Sequence, residues 1–154
     1  MKLRAFLPAA TLLATLAVYP ARTWAEDEDA DLNDLPAAVQ KTAHAEVGKN
    51  SIEEVEDTFE LGQHATEVEY REAGKKMAVV IAKDGALIQK EYRMSPIDAP
   101  DAIKAAVNKE FPGGRISHIK EVARSTGVFY EVSVKANGAA HALTLDKAGN
   151  KIAG

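Results

Sequence analysis

The chain contains no cysteine. That excludes a disulfide staple, thiolate chemistry, cysteine-bound zinc and a lipidated cysteine behind an export signal. Tryptophan is almost as scarce, with Trp24 the single copy, and it lies in the N-terminal leader. Basic residues are too few to make a cationic surface: 19 Lys and Arg stand against 23 Asp and Glu. Such a balance does not suit DNA, RNA or an anionic membrane as a partner. A glycine-rich phosphate loop is missing too, because Gly113 and Gly114 follow a helical pattern instead of opening one. The four histidines show no metal-ligand spacing, such as two on one helix face at i, i+4.

The one long apolar run covers residues 5–18 and is preceded by Lys2 and Arg4. Pro20 follows, and Thr23 and Ala25 supply small residues before Glu26. This is the order of a secretory signal peptide, and about 14 apolar residues fall short of the about 20 that span a bilayer. Cleavage after Ala25 is therefore expected. It removes Lys2, Arg4 and Arg22 and leaves a net charge of about −7. A periplasmic or secreted protein is the expectation, with no stable membrane insertion after cleavage.

Residues 26–34, EDEDADLND, have little to bury and are expected to form a disordered acidic leader. Asp29, Asp31 and Asn33 alternate like calcium-loop oxygens, but Asp34 stands where such a loop needs glycine and Gln40 where it needs glutamate. A calcium loop is rejected on those grounds.

Beyond the leader the chain repeats itself. A shift of 64 residues superposes Asp34 on Asp98, Pro36 on Pro100, Ala38 on Ala102, Glu67-Val68 on Glu131-Val132 and Gly85 on Gly149. About 12 identities fall in about 55 positions, several times the number expected by chance. Each copy opens with a helical stripe, Leu35, Val39, Ala43 and Val47 in the first and Ala99, Ile103, Val107 and Phe111 in the second. Gly48 ends one helix and Pro112-Gly113-Gly114 the other. Strand patterns follow, and the three-residue spacings Ile52/Val55 and Ile116/Ile119 suggest bulges. Val68, Tyr70, Met77, Val79, Ile81 and Ile88 alternate to one face, as do Tyr130, Val132, Val134, Leu143, Leu145 and Ile152. The expected fold class is α+β: two tandem units, each one helix packed on a three- to four-stranded antiparallel sheet, over residues 35–93 and 98–154. Units of about 55 residues are marginal alone, so they should pack together or join sheets through residues 92–98.

The second copy, AIKAAVNKEFPGGRISHIKEVARSTGVFYEVSVKANGAAHALTLDKAGNKI, resembles a PepSY domain. The features carrying the resemblance are the helix, the Pro-Gly break, the Tyr130-Glu131-Val132 strand, the polar turn and the Asp-x-x-Gly before the last strand. The first copy departs from it, with Thr66-Glu67-Val68 in place of the tyrosine motif and no Pro-Gly-Gly. The two copies together look like tandem PepSY-like envelope proteins, whose architecture is similar to that of beta-lactamase inhibitory protein. The resemblance implies a non-enzymatic role, since PepSY domains occur in protease propeptides and in envelope proteins where binding or inhibition is proposed.

Candidate chemistry is sparse. His44 lies on the polar side of the first helix, His64 in a loop and His118 on a strand beside Lys120, while His141 matches Met77 and so falls on the apolar face. Ser125-Thr126-Gly127 has no neighbouring acid or histidine to activate a nucleophile and is expected to be a turn. Glu53, Glu54, Glu56 and Asp57 could hold a cation, act as a carboxylate pair for hydrolysis, or form a solvated face. No catalytic residue, cofactor or metal is assigned. The expected function is an exported protein-binding module, an inhibitor or regulator of an envelope protein such as a protease. Its expected contact residues are those alternating away from the helices: Glu67, Glu69, Arg71, Val80, Glu131, Ser133, Lys135 and Thr144. The alternative is an envelope protein that binds a small ligand or cation through its acidic residues.

Overall fold

A computed structural model describes residues 32–152. The signal peptide assigned to residues 1–25, and residues 26–31 of the acidic leader, lie outside the described residues. Leu32–Asp34 form a turn of 3-10 helix, and Leu32 packs against the first hydrophobic cluster. Asn33 and Asp34 beside it are exposed.

Helix α1 spans Ala37–Val47, followed by strands β1 (Ile52–Glu60), β2 (Gln63–Glu72), β3 (Lys75–Ala82) and β4 (Leu87–Met94). After a 3-10 turn at Pro96–Asp98 come α2 (Asp101–Glu110), β5 (Arg115–Arg124), β6 (Gly127–Ala136) and β7 (Ala139–Asp146). The local chemistry is consistent with these bounds. Pro36 and Pro100 sit at the helix N-caps, the Gly48 N–H donates to the His44 carbonyl, and Pro112 follows the α2 cap at Phe111. Two-residue turns close hairpins at Leu61-Gly62, Ala73-Gly74 and Asn137-Gly138, with both residues of each at positive φ, the combination whose twist matches paired strands.

The expectation of two tandem helix-on-sheet units is overturned. All seven strands form one antiparallel sheet in the order β1-β2-β3-β4-β5-β6-β7. The joint is β4 with β5, paired from Lys90↔Ala123 to Met94↔Ile119. The sequence pattern alone is compatible both with units that pack together and with units that join sheets. Pairing prevails because β4 and β5 would otherwise both expose unsatisfied edge N–H and C=O groups. With only two short helices against seven strands, the fold is mostly β. The 64-residue period appears inside this sheet, where β6 and β7 begin and end 64 residues after β2 and β3.

Both helices lie on the same face of the sheet. The row Tyr70↔Met77↔Tyr92↔Glu121↔Tyr130↔Leu145 runs from β2 to β7 on a single face. Tyr70 and Met77 belong to the cluster under α1, with Val39, Ala43, Val47, Val68, Val79 and Ile81. Tyr130 and Leu145 belong to the cluster under α2, with Ile103, Val107, Ile119, Val132, Val134 and Leu143. The bulges expected near Ile52 and Ile116 are present as register shifts between Ile52 and Glu54 and between Ile116 and His118.

The uncovered face is concave. Strands about 4.8 Å apart would hold β1 and β5 about 19 Å from each other in a flat sheet. Yet Arg124 Nη2 donates to Glu60 Oε1 at 2.6 Å, linking the ends of those two strands over the uncovered face. Rolling also explains why Ala78, Val80, Ala82 and Val122, which no helix covers, are nevertheless buried.

Candidate protein-binding sheet face

Three rows of side chains build the concave face. The first is Glu56↔Glu67↔Val80↔Gln89, the second Glu54↔Glu69↔Ala78↔Glu91↔Val122↔Phe129↔Asp146, and the third Arg71↔Lys76↔Arg93↔Lys120↔Glu131↔Thr144. Ser133 and Lys135 lie on the same face of β6, opposite Ala142 and Ala140. All eight residues named from alternation therefore share this face.

Their accessibility differs widely. Arg71 and Lys135 are exposed, Glu67, Glu131, Ser133 and Thr144 are half-buried, and Glu69 is buried. Val80 is only 1 % exposed and cannot meet a partner directly. Alternation places a residue on a face but carries no information about curvature, which is what buries this valine.

Charged side chains fill the trough. Arg93 Nη2 lies 2.5 Å from Glu69 Oε1 and 3.7 Å from Glu67 Oε1, and Lys76 Nζ lies 2.5 Å from Glu69 Oε2. Lys120 Nζ donates to Glu91 Oε1 at 2.8 Å and approaches Glu131 at 3.2 Å. Gln89 donates to Glu91 Oε1 at 2.6 Å and accepts from Arg124 Nε at 2.6 Å. Arg71 pairs with Glu53. Glu91, Gln89, Arg93, Lys120 and Arg124 escaped the sequence reading because their roles depend on the β4–β5 pairing. The alternation Gln89, Glu91, Arg93 was the signal that could have found them.

Carboxylates outnumber the cations at the β1–β2 end, and Glu54 and Glu56 stand directly opposite Glu69 and Glu67. The Glu56 carboxyl, by hydrogen bond and by charge, pushes the Glu54 pKa up to about 7. Burial raises that of Glu67, and the Glu91 charge adds to the effect. For Lys120, burial opposes the charged form, but hydrogen bonds and charge from Glu91 and Glu131 outweigh it and the pKa rises. A carboxyl with a raised folded-state pKa is destabilising once ionised, so its penalty is present above the folded pKa and fades as pH falls toward the unfolded value. The thermal midpoint should accordingly be higher at pH 5.5 than at pH 8, and Glu54→Gln should narrow that gap. An equal gap in the variant would contradict the assignment.

Toward β6 and β7 the side chains become small. Ser117, Ser133, Ala142 and Thr144 leave a depression of about 480 Å³, with Arg93, His118, Lys120 and Glu131 also among its lining residues. A second depression of about 700 Å³ lies beside the Glu60–Arg124 bridge and Phe129.

The remaining candidates lie elsewhere. His64 is in β2, not in a loop, and its ring meets Phe59 edge-on at 5.4 Å. His141 stacks on Phe111 at 4.5 Å, the apolar neighbour its alignment with Met77 implied. Ser125 and Thr126 form the turn between β5 and β6. Among the described residues no three His, Asp or Glu side chains converge so as to hold a metal ion, and no helix is long and apolar enough to cross a membrane.

No protein-family model matches the chain, and no curated protein matches it. Solved structures do. A protein of Bacteroides eggerthii described as periplasmic aligns with TM-score 0.64 at 13% identity, covering 77% of this chain and 86% of its own. A DUF2874 family protein of Bacteroides uniformis aligns with TM-score 0.63 at 15% identity, with the same coverages of 77% and 86%. A BLIP-like protein of Bacteroides fragilis aligns with TM-score 0.60 at 11% identity, covering 77% of this chain and 84% of its own. In fold, this chain is similar to DUF2874 family proteins and to a BLIP-like protein.

Proposed function

We propose that this chain is an exported, non-enzymatic binding module of the cell envelope that engages a protein partner through its concave sheet face. The observation that carries the reading is the depression over Ser133, Ala142 and Thr144. Small side chains on a bare sheet, rimmed by Arg93, Lys120 and Glu131, provide a surface that can be desolvated within a polar border. The helices are both on the opposite face, so nothing in the described residues competes for it. Export is supported by the charged, apolar and small-residue order of residues 1–25 and by the fold shared with proteins described as periplasmic. Regulation or inhibition of an envelope protein such as a protease is the finer form of this reading, and it rests on the PepSY resemblance.

Filling the depression tests it. Ala142 is exposed and Thr144 half-buried, so Ala142→Lys and Thr144→Lys can be introduced without opening the core. The double variant should lose at least about tenfold in affinity for an envelope partner captured by the parent protein, with the thermal midpoint nearly unchanged. Val80→Lys is unsuitable, because it would bury an unpaired ammonium.

A further inference from the structure

The acidic end of the trough combines several unfavourable features. Glu54↔Glu69 and Glu56↔Glu67 are adjacent cross-strand pairs of like charge on one face, an arrangement that destabilises a sheet. Ala78 separates Glu69 from Glu91 in the same row, and its small side chain leaves those two carboxylates flanking a shallow floor. Glu69 is 4 % exposed and Glu91 2 % exposed. Glu67 Oε1 and Glu91 Oε2 are each buried without a hydrogen-bond donor. Glu69 is paired with Lys76 and Arg93, both at 2.5 Å, whereas Arg93 at 3.7 Å is too far from Glu67 Oε1 for a hydrogen bond. Buried acceptors normally find a donor. Five carboxylates (Glu54, Glu56, Glu67, Glu69 and Glu91) face three cations (Lys76, Arg93 and Lys120), whose side chains are 33%, 48% and 29% exposed and can swing aside.

We infer that this end of the trough is a seat for an arginine side chain presented by a basic segment of the protein partner. The inference rests on the concave face being the binding face and adds the chemistry of what enters it. A guanidinium brings a charge of the missing sign and a planar fork of five donors, which can serve two carboxylates at once. A bare metal ion fits less well, since no three of these groups converge on one point. On entry the arginine displaces the half-exposed Arg93 and Lys76 heads toward solvent, where water restores their hydration. The small-residue depression then receives the neighbouring residues of the same segment.

The test titrates the mature chain with an acetylated, amidated hexa-arginine peptide, followed by calorimetry and amide chemical shifts, with a glycine-serine hexapeptide as control. Two variants are compared with the parent: Glu67→Gln with Glu69→Gln in the buried pair, and Glu54→Gln with Glu56→Gln on the more accessible β1, which keeps the test valid should the first misfold. The expected result is a loss of at least tenfold in affinity in each folded variant, with parent shifts centred on residues 54–56, 67–69, 78 and 91. Unchanged affinity in the variants, or shifts confined to the acidic 26–34 stretch, would overturn the seat. So would calcium chloride displacing the peptide while shifting the same residues, which would mark an ion site. If the seat fails while Ala142→Lys and Thr144→Lys still block partner capture, only the arginine is removed from the account; if both fail, the face is.

Discussion

Replacing Ile103 by alanine should lower the stability by about 2–5 kcal/mol, the usual cost of emptying a fully buried aliphatic site. Ile103 is 0% exposed and lies between α2 and the β5–β7 part of the sheet. Ile81 of β3, also 0% exposed, lies in the cluster under α1, and Ile81→Ala should cost a similar amount. The shape of the transition carries further information. Through β4 and β5 the two clusters share one sheet, so either substitution should shift a single cooperative urea transition. Two separate transitions, with Ile103→Ala moving only one, would mean that the halves fold independently and that the β4–β5 seam is weak.

Gly85→Ala should be nearly as damaging although it removes nothing. Gly85 has φ +88, where an L side chain is strained by about 1–2 kcal/mol, and an added Cβ would sit 2.7 Å from the Ala38 carbonyl oxygen and 2.8 Å from the Ala38 Cβ. Overpacking of that kind costs about 1–3 kcal/mol more, because α1 must move off the β3–β4 turn. That movement also pulls apart the Thr42 Oγ1 hydrogen bond to the Gly85 carbonyl, 2.7 Å long. Gly149 repeats the arrangement, with φ +84 and a Cβ that would fall 2.6 Å from the Ala102 oxygen. Gly85→Ala and Gly149→Ala should each lower the denaturation midpoint markedly. A midpoint unchanged in both would show that helix and turn are not in close contact.

This contact explains part of what the sequence displayed. Gly85 and Gly149 are an identical pair in the 64-residue self-match because the helix backbone at Ala38 and at Ala102 rests on the turn, leaving no room for a side chain on either glycine. The helical stripes and the strand alternation were legible for the same reason, since both record contact across one layer. Val39, Ala43 and Val47 are buried as their spacing required, and so are Val132, Leu143 and Leu145.

What connects the layers was harder to read. The β4–β5 pairing has no local signature, because strands joined through a helix can pair or separate with the same alternation. Curvature is likewise invisible: it makes Val80 a core residue, brings Glu60 to Arg124 across the trough, and turns a row of ordinary outward glutamates into a partly unsatisfied cluster. The candidate face was therefore legible as a set of residues, and illegible as a shape. Glu91 shows the difference most clearly, since its burial depends on β3, β5 and the roll of the whole sheet together.

The most direct test of the account compares partner affinity for the parent protein, the Ala142→Lys/Thr144→Lys double variant, and a control carrying Lys41→Glu and Lys109→Glu on the exposed sides of α1 and α2. Each protein is immobilised after its thermal midpoint has been checked, and the affinity for the same captured envelope protein is measured by surface plasmon resonance. The account predicts at least about a tenfold loss in the sheet-face variant and little change in the helix-side control. A loss confined to the helix-side control, with the sheet-face variant binding like the parent, would contradict it.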